Sequence, residues 1–341
     1  MTRALFFGTP EFSVPSLEAL AEIATVVGVV CQPDRPASRG LKLTTPPVKE
    51  RALAMGIPVV QPTKLRTGEF AAWVRAEDAD IALVIAYGRI LPQDVLDAPR
   101  LGCVNLHASI LPKYRGAAPI TWAIVRGEPE TGITLMRMDA GMDTGDMLEV
   151  LKTPIGEEET AAELGARLSQ LAARVVRESL PRFIRGELTA RPQDPTQATL
   201  APLLQKEMGR IDWTQPAPRV HDHVRGMNPW PMAFSHQEGQ AHRPAGLPDG
   251  STPTGGVGPP VPPTSKRVIV HRTKVVEGAL ARVAKAGEVV IADKSRVVVA
   301  CGSGLIELMR VQLEGKKAVT GAEWFLGRGV REGDVLGVEL A

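Results

Sequence analysis

The first half of the chain alternates short apolar runs with segments whose apolar residues recur at helical spacing. This alternation constrains the fold more than any other feature. The runs at 3–8, 25–31, 57–60, 81–86, 102–107, 133–138 and 147–152 have strand length and strand composition. Between them, 14–24, 47–55, 69–76, 117–126 and 159–184 carry a helical period. Strands alternating with helices imply βαβ units, so an α/β domain with a Rossmann-like, mostly parallel sheet is expected over 1–189. Ligands of such sheets bind beyond the carboxyl ends of the strands.

The chain's 341 residues exceed one ordinary core, and the pattern changes where a second would begin. Residues 190–209 are polar and contain Pro192, Pro195 and Pro202, which predicts a linker. From 210 to 341, short β-type runs at 268–270, 289–291, 296–300 and 305–311 are punctuated by glycine, with one amphipathic segment at 321–326. A small OB-like Greek-key barrel fits, with a sandwich as the alternative. Residues 242–265 are dense in Pro and Gly and read as a disordered insertion in this domain.

The net charge of +2 is unevenly spread. Residues 206–341 hold 18 Lys+Arg against 14 Asp+Glu, while 1–205 hold 22 against 24. A basic C-terminal half suits a polyanionic partner such as nucleic acid, although a solvated charged surface gives the same count. No segment approaches the ~18–20 apolar residues of a membrane span. The apolar run at 4–7 is too short for a signal peptide, so a cytoplasmic location is expected. The three cysteines, Cys31, Cys103 and Cys301, show neither metal-ligand nor disulfide spacing.

The run 102–116 reads GCVNLHASILPKYRG. Along a strand, Cys103, Asn105 and His107 point to one face. Cys, His and Asn are the residue types of a thiol protease, but Cys103 and His107 lie about 13 Å apart on an extended strand. A nucleophile and its base need contact at ~2.6–3.2 Å, so Cys103 is read as core. Asn105 and His107, about 6.6 Å apart, can converge on one ligand atom. An amide N–H and an imidazole N–H aimed at one oxygen would polarise a carbonyl. Residue type alone also allows both to be satisfied by local backbone. The run 138–148, MDAGMDTGDML, is a glycine-punctuated acidic loop between two strands. Asp143 or Asp146 can orient a histidine there, or can serve the turn itself; turn chemistry is the better reading for Asp146. Gly8-Thr9-Pro10 lacks the spacing of a dinucleotide or Walker loop. The loop 32–49 carries Arg35, Arg39, Lys42 and Lys49 against Asp34, and basic loops at a sheet's carboxyl end can grip phosphates.

Taken together, these segments resemble the folate-dependent formyltransferases nearly end to end. The resemblance is carried by FFGTPEFSVPSL, QPDRPASRG, PPVKERA, AYGRILP, the Asn-x-His strand, the Asp-Thr-Gly-Asp loop, IDWTQPA, MNPWPM and EGKKAVTGAEWF. Within the family, the basic loop and the second domain favour the branch that formylates methionine on initiator tRNA. An amino-sugar-nucleotide formyltransferase, a 10-formyltetrahydrofolate hydrolase and a non-catalytic RNA-binding protein are the alternatives. The resemblance implies 10-formyltetrahydrofolate as donor, no metal, and initiator Met-tRNA as partner of a monomeric enzyme. It implies a catalytic trio of Asn105, His107 and Asp143. It carries folate contacts onto Ile110, Leu111, Pro112 and Lys113, with Tyr87, Gly88, Arg89, Ile90, Leu91 and Asp139 along the pterin walls. It implies tRNA contacts by Arg35, Arg39 and Lys42, and by Lys266, Arg267 and Arg272 of the second domain.

Overall fold

The structure is a computed structural model that describes residues 1–37, 42–237, 266–278 and 283–337, the side chains of 36–37 and 42–43 excepted. The expected insertion at 242–265 and Arg39 lie outside the described residues, as does the side chain of Lys42. The chain divides into two compact units, Met1–Leu204 and Gln205–Ala341.

Seven strands form the sheet of the first unit: β1 (Arg3–Gly8), β2 (Thr25–Val30), β3 (Val59–Val60), β4 (Ile81–Ile85), β5 (Cys103–His107), β6 (Glu130–Arg137) and β7 (Met147–Pro154). Their order is β7-β6-β5-β4-β1-β2-β3. The pairs from β3 to β5 are parallel, and β6 runs antiparallel to both its neighbours. Because the strands are apolar at nearly every position, alternate side chains feed two cores. Phe6, Leu83, Ile85, Val104 and Leu106 pack with Leu17 and Leu20 of α1 (Val14–Ile23) and with Leu164, Leu168 and Val175 of α4 (Ala161–Glu178). Leu5, Phe7, Val84 and Cys103 pack on the other face with Phe70 and Val74 of α3 (Glu69–Ala76). Each fully buried side chain of this size contributes roughly 1.5–3 kcal/mol, so the two-sided apolar strands are the main stabilising element. A capping box of Thr160 and Glu163 starts α4. A shorter helix, α2 (Pro47–Ala54), follows the ribbon of 35–37 paired with 42–44.

The expected linker differs from what is observed. Residues 190–204 are folded onto the first unit: Arg191 bridges Met147, and Leu200–Ala201 pairs with Arg115–Gly116. The side chains of Gln193 and Thr199 tie this segment to the 114–116 and 143–145 loops, while most of its other polar residues remain exposed.

In the second unit, β8 (Ala233–Gln237), β9 (Lys266–Val276), β10 (Val289–Ala292), β11 (Val297–Ala300) and β12 (Leu305–Leu313) pair antiparallel in the order β8-β9-β12-β11-β10, with β13 (Val319–Thr320) beside β12. Residues 335 and 336 bridge Glu288 and Gln237, joining the two edges, so the sheet closes as a barrel would. The helix α5 (Ala217–Gly226) lies along β9, with His221 Nδ1 3.0 Å from Thr273 Oγ1. The amphipathic segment forms α6 (Gly321–Leu326), opened by a second capping box.

Candidate active site

The site is built at the carboxyl end of β5. Val104 and Leu106 enter one core, which leaves Cys103, Asn105 and His107 on the opposite face. Cys103 is buried with its Sγ 3.8 Å from the Val95 carbonyl, and burial pushes its thiol up to about 12. A thiol held in that state is a core residue at neutral pH. Asn105 is half-buried, and its carboxamide has no hydrogen-bond partner among the described residues.

His107 is buried, and its two ring nitrogens have different partners. Nε2 lies 2.8 Å from the main-chain carbonyl of Tyr114. A carbonyl only accepts, so Nε2 carries a proton. Nδ1 faces Oδ2 of Asp143 at 3.6 Å. In the neutral ring that nitrogen presents a lone pair to a carboxylate; a proton placed there makes the contact attractive. The arrangement distinguishes the two ring nitrogens: the Nε2–H is spent on Tyr114, and Nδ1 is left facing Asp143.

Asp143 has φ +55°, a left-handed conformation that Asp adopts more readily than most residues. Its Oδ2 accepts the N–H of Gly116 at 2.8 Å. Asp139 performs the turn chemistry, accepting from the Gly141 N–H at 3.0 Å and the Thr144 hydroxyl at 2.7 Å. Asp146 lends its main-chain carbonyl to the Arg137 N–H. The carboxylate of Asp143 is thereby directed away from its own loop, toward His107 and Gly116.

Two main-chain groups that residue spacing did not flag thus complete the site, the Tyr114 carbonyl and the Gly116 N–H. The loop between them is held from several sides. Ser109 Oγ donates to the Lys113 carbonyl at 2.6 Å, and Thr134 Oγ1 donates to the Ser109 carbonyl at 2.6 Å. The Tyr114 hydroxyl donates to Glu128 at 2.7 Å, and the Tyr114 N–H to Thr199 Oγ1 at 2.9 Å. Gly116 has φ +117°, and a Cβ there would meet the Ala201 carbonyl at 2.8 Å, so both conformation and space require glycine.

Of the residues expected to hold folate, Tyr87 and Gly88 line one cavity and Arg89 and Ile90 another. Tyr87 has its ring buried edge-on against Phe7, with burial pushing its hydroxyl up to about 12, and the residue lines a cavity together with Gly88. Leu91 and Leu111 are buried, and Ile110 and Pro112 are half-buried. Gly88 lines a cavity of about 400 Å³ with Thr9, Gln32, Arg35, Thr44 and Pro46. This cavity sits where the strand order reverses at β1, the usual crevice of such a sheet. Thr9 Oγ1 and Gln32 Nε2 both donate to the Tyr87 carbonyl, at 3.2 and 3.0 Å. Arg89 and Ile90 line a second cavity of about 530 Å³ with Lys64 and Arg66. Arg89 also donates to the Pro62 and Thr63 carbonyls, and Lys113 pairs with Glu128 at 3.0 Å.

Among the expected tRNA contacts, Arg35 is exposed and donates to Gln32 Oε1 at 3.1 Å. Lys49 does not project from the basic loop: it is bound to Asp34 and Gln61 at 2.8 Å each and anchors the loop's base. Lys266 and Arg272 are exposed on β9. Arg267 is half-buried, with its guanidinium 3.9 Å from the centre of the Phe234 ring.

A family model described as "Formyl transferase" matches residues 2–180, and one described as "Formyl transferase, C-terminal domain" matches 203–248 and 250–329. The methionyl-tRNA formyltransferase of Sorangium cellulosum is 56% identical over 335 residues, covering 98% of this chain and 99% of its own length. The methionyl-tRNA formyltransferase of Myxococcus xanthus is 43% identical over 331 residues, covering 97% and 96%. HypX of Aquifex aeolicus, solved in complex with tetrahydrofolic acid, shares the fold with a TM-score of 0.56 at 19% identity over 97% of this chain. The present chain spans 48% of HypX.

Proposed function

Because the chain belongs to the formyl transferase family, we propose that Asn105, His107 and Asp143 carry its chemistry. The enzyme formylates the α-amino group of methionine on initiator tRNA, the step that marks this tRNA for translation initiation. In this reading it works in the cytoplasm and the donor is 10-formyltetrahydrofolate, so the formyl group passes from one nitrogen to another. The donor supplies the electrophilic formyl carbon and the acceptor its amine; the protein supplies charge stabilisation and a route for the proton.

The observation that carries the reading is the opposed pair on His107, Tyr114 carbonyl on Nε2 and Asp143 on Nδ1. With Nε2–H committed, Nδ1 is the position where a proton can be taken up and delivered. The Asn105 carboxamide, with no protein partner among the described residues, donates to the formyl oxygen as negative charge develops there. One such donor is typically worth about 3–4 kcal/mol in the transition state. Asp143 orients His107 through Nδ1 and relays a proton from the attacking amine, through water, toward the leaving nitrogen. General acid–base help of this kind is worth roughly 10²–10⁴ in rate.

Supplying purified enzyme with 10-formyltetrahydrofolate, with and without charged initiator tRNA, tests the substrates. Formylmethionyl-tRNA should accumulate, with little formate in the absence of tRNA. Rapid formate release independent of tRNA would instead identify a hydrolase.

A further inference from the structure

Within the segment 190–201, the side chain of Gln193 reaches the acidic loop of the catalytic centre. Its Nε2 donates to two main-chain carbonyls of the acidic loop, that of Asp143 at 2.8 Å and that of Gly145 at 2.7 Å. Its Oε1 accepts from Nε and Nη2 of Arg115 at 3.0 and 2.7 Å. Both amide hydrogens and the carbonyl oxygen are therefore in use. The residue is half-buried and its backbone is fixed close by, where Arg191 and Met147 exchange two hydrogen bonds of 2.9 Å.

These contacts join the two loops that define the His107–Asp143 geometry. Arg115 precedes Gly116, whose N–H binds the Asp143 carboxylate, and follows Tyr114, whose carbonyl binds His107. On the other side, Asp143 sits at φ +55°, in the left-handed region that few non-glycine residues occupy. An amide that bridges carbonyls 143 and 145 fixes the backbone on both sides of Thr144.

We propose that Gln193 is a positioning residue for Asp143, a clamp that ties the acidic loop to the 114–116 loop and holds the carboxylate against His107. Gln193 touches neither the reacting atoms nor the ring of His107. It acts by setting the place of Asp143, and the proposal rests on the reading that Asp143 is catalytic. Glutamine suits the task because it alone among side chains of this length offers two N–H donors and an acceptor in one plane.

The test is a double-mutant cycle of Gln193→Ala and Asp143→Asn, read by single-turnover and steady-state formylation of Met-tRNA with 10-formyltetrahydrofolate. Gln193→Ala should lower kcat by roughly 10- to 100-fold, the usual cost of misplacing a reacting group by about 1 Å. KM for both substrates should stay within about twofold, because the clamp is not a binding contact. In the Asp143→Asn background the same substitution should have almost no further effect. Gln193→Glu keeps an acceptor for Arg115 but has no N–H for the two carbonyls, and should fall as far as Gln193→Ala; it decides the matter if the alanine variant does not fold. Equal losses in both backgrounds, a change confined to KM, or wild-type kcat in the folded variants would overturn the clamp while leaving the trio intact. Wild-type turnover by Asp143→Asn alone would instead remove the reading beneath it, and the clamp with it.

Discussion

The Nε2–H of His107 points at the main-chain carbonyl of Tyr114, 2.8 Å away, and this contact decides which face of the ring can do chemistry. A histidine with both nitrogens open could exchange tautomers. Here the carbonyl fixes one proton and leaves Nδ1 opposite Asp143 as the exchanging position. The consequences extend to groups that hold Tyr114, to the neighbouring thiol and to the second unit.

Glu128 is the acceptor that holds the Tyr114 hydroxyl. Burial alone would raise its carboxyl, but hydrogen bonds from Tyr114 and Lys113 outweigh that and hold it below the ordinary glutamate value. A carboxylate depressed in the folded state adds stability that is fully present above the unfolded value, near ~4.3, and is lost as pH falls through the folded one. Wild type should therefore exceed Glu128→Gln in stability at neutral pH, and the difference should shrink as pH drops below about 4. Denaturant melts of both proteins across pH measure this; a difference that stays constant over the range contradicts it.

Cys103 shares a strand face with Asn105 and His107, yet burial raises its thiol to about 12. Cys103→Ala should retain turnover within a few-fold and cost roughly 1 kcal/mol or somewhat more in stability, as small core truncations do. Alkylating reagents at pH 8 should leave native enzyme active. Stoichiometric modification of Cys103 with loss of activity would contradict its placement in the core.

On β9, exposed Lys266 and Arg272 are set apart from Arg267, which is stacked on Phe234. If the first two meet phosphates, Lys266→Ala and Arg272→Ala should each reduce the slope of log affinity against log salt by about one. Arg267→Ala should chiefly lower the thermal midpoint, losing a contact worth about 0.5–2 kcal/mol. Filter binding of initiator tRNA over a salt series separates the two; the opposite assignment of effects would reverse the reading of this strand.

Strand periodicity made Asn105 and His107 legible as a same-face pair and excluded Cys103, because the alternation of side chains depends only on backbone geometry. The alternation of strand-like and helix-like segments also foretold a mostly parallel sheet. The Tyr114 carbonyl and Gly116 N–H were not legible: main-chain groups have no residue type, and their direction comes from left-handed turns at Tyr114 and Gly116. Gln193 was hidden for another reason. Polar residues between prolines look like a linker until loops from elsewhere in the chain supply the partners that satisfy them. The burial of the Tyr87 ring was not legible either, since only its packing against Phe7 reveals it. Closure of the second sheet by residues 335 and 336 rests on two isolated bridges, too short a signal for periodicity to register.

The most direct measurement is single-turnover formyl transfer from 10-formyltetrahydrofolate to charged initiator tRNA by Asp143→Asn, alongside binding of each substrate. The variant keeps the size of the side chain and an oxygen for the Gly116 N–H, but cannot carry the charge that faces Nδ1 of His107. Unchanged binding with a rate reduced by about 10²–10⁴ is the predicted result; a single-turnover rate near that of wild type would show that the Asp143–His107 pair does not drive the transfer.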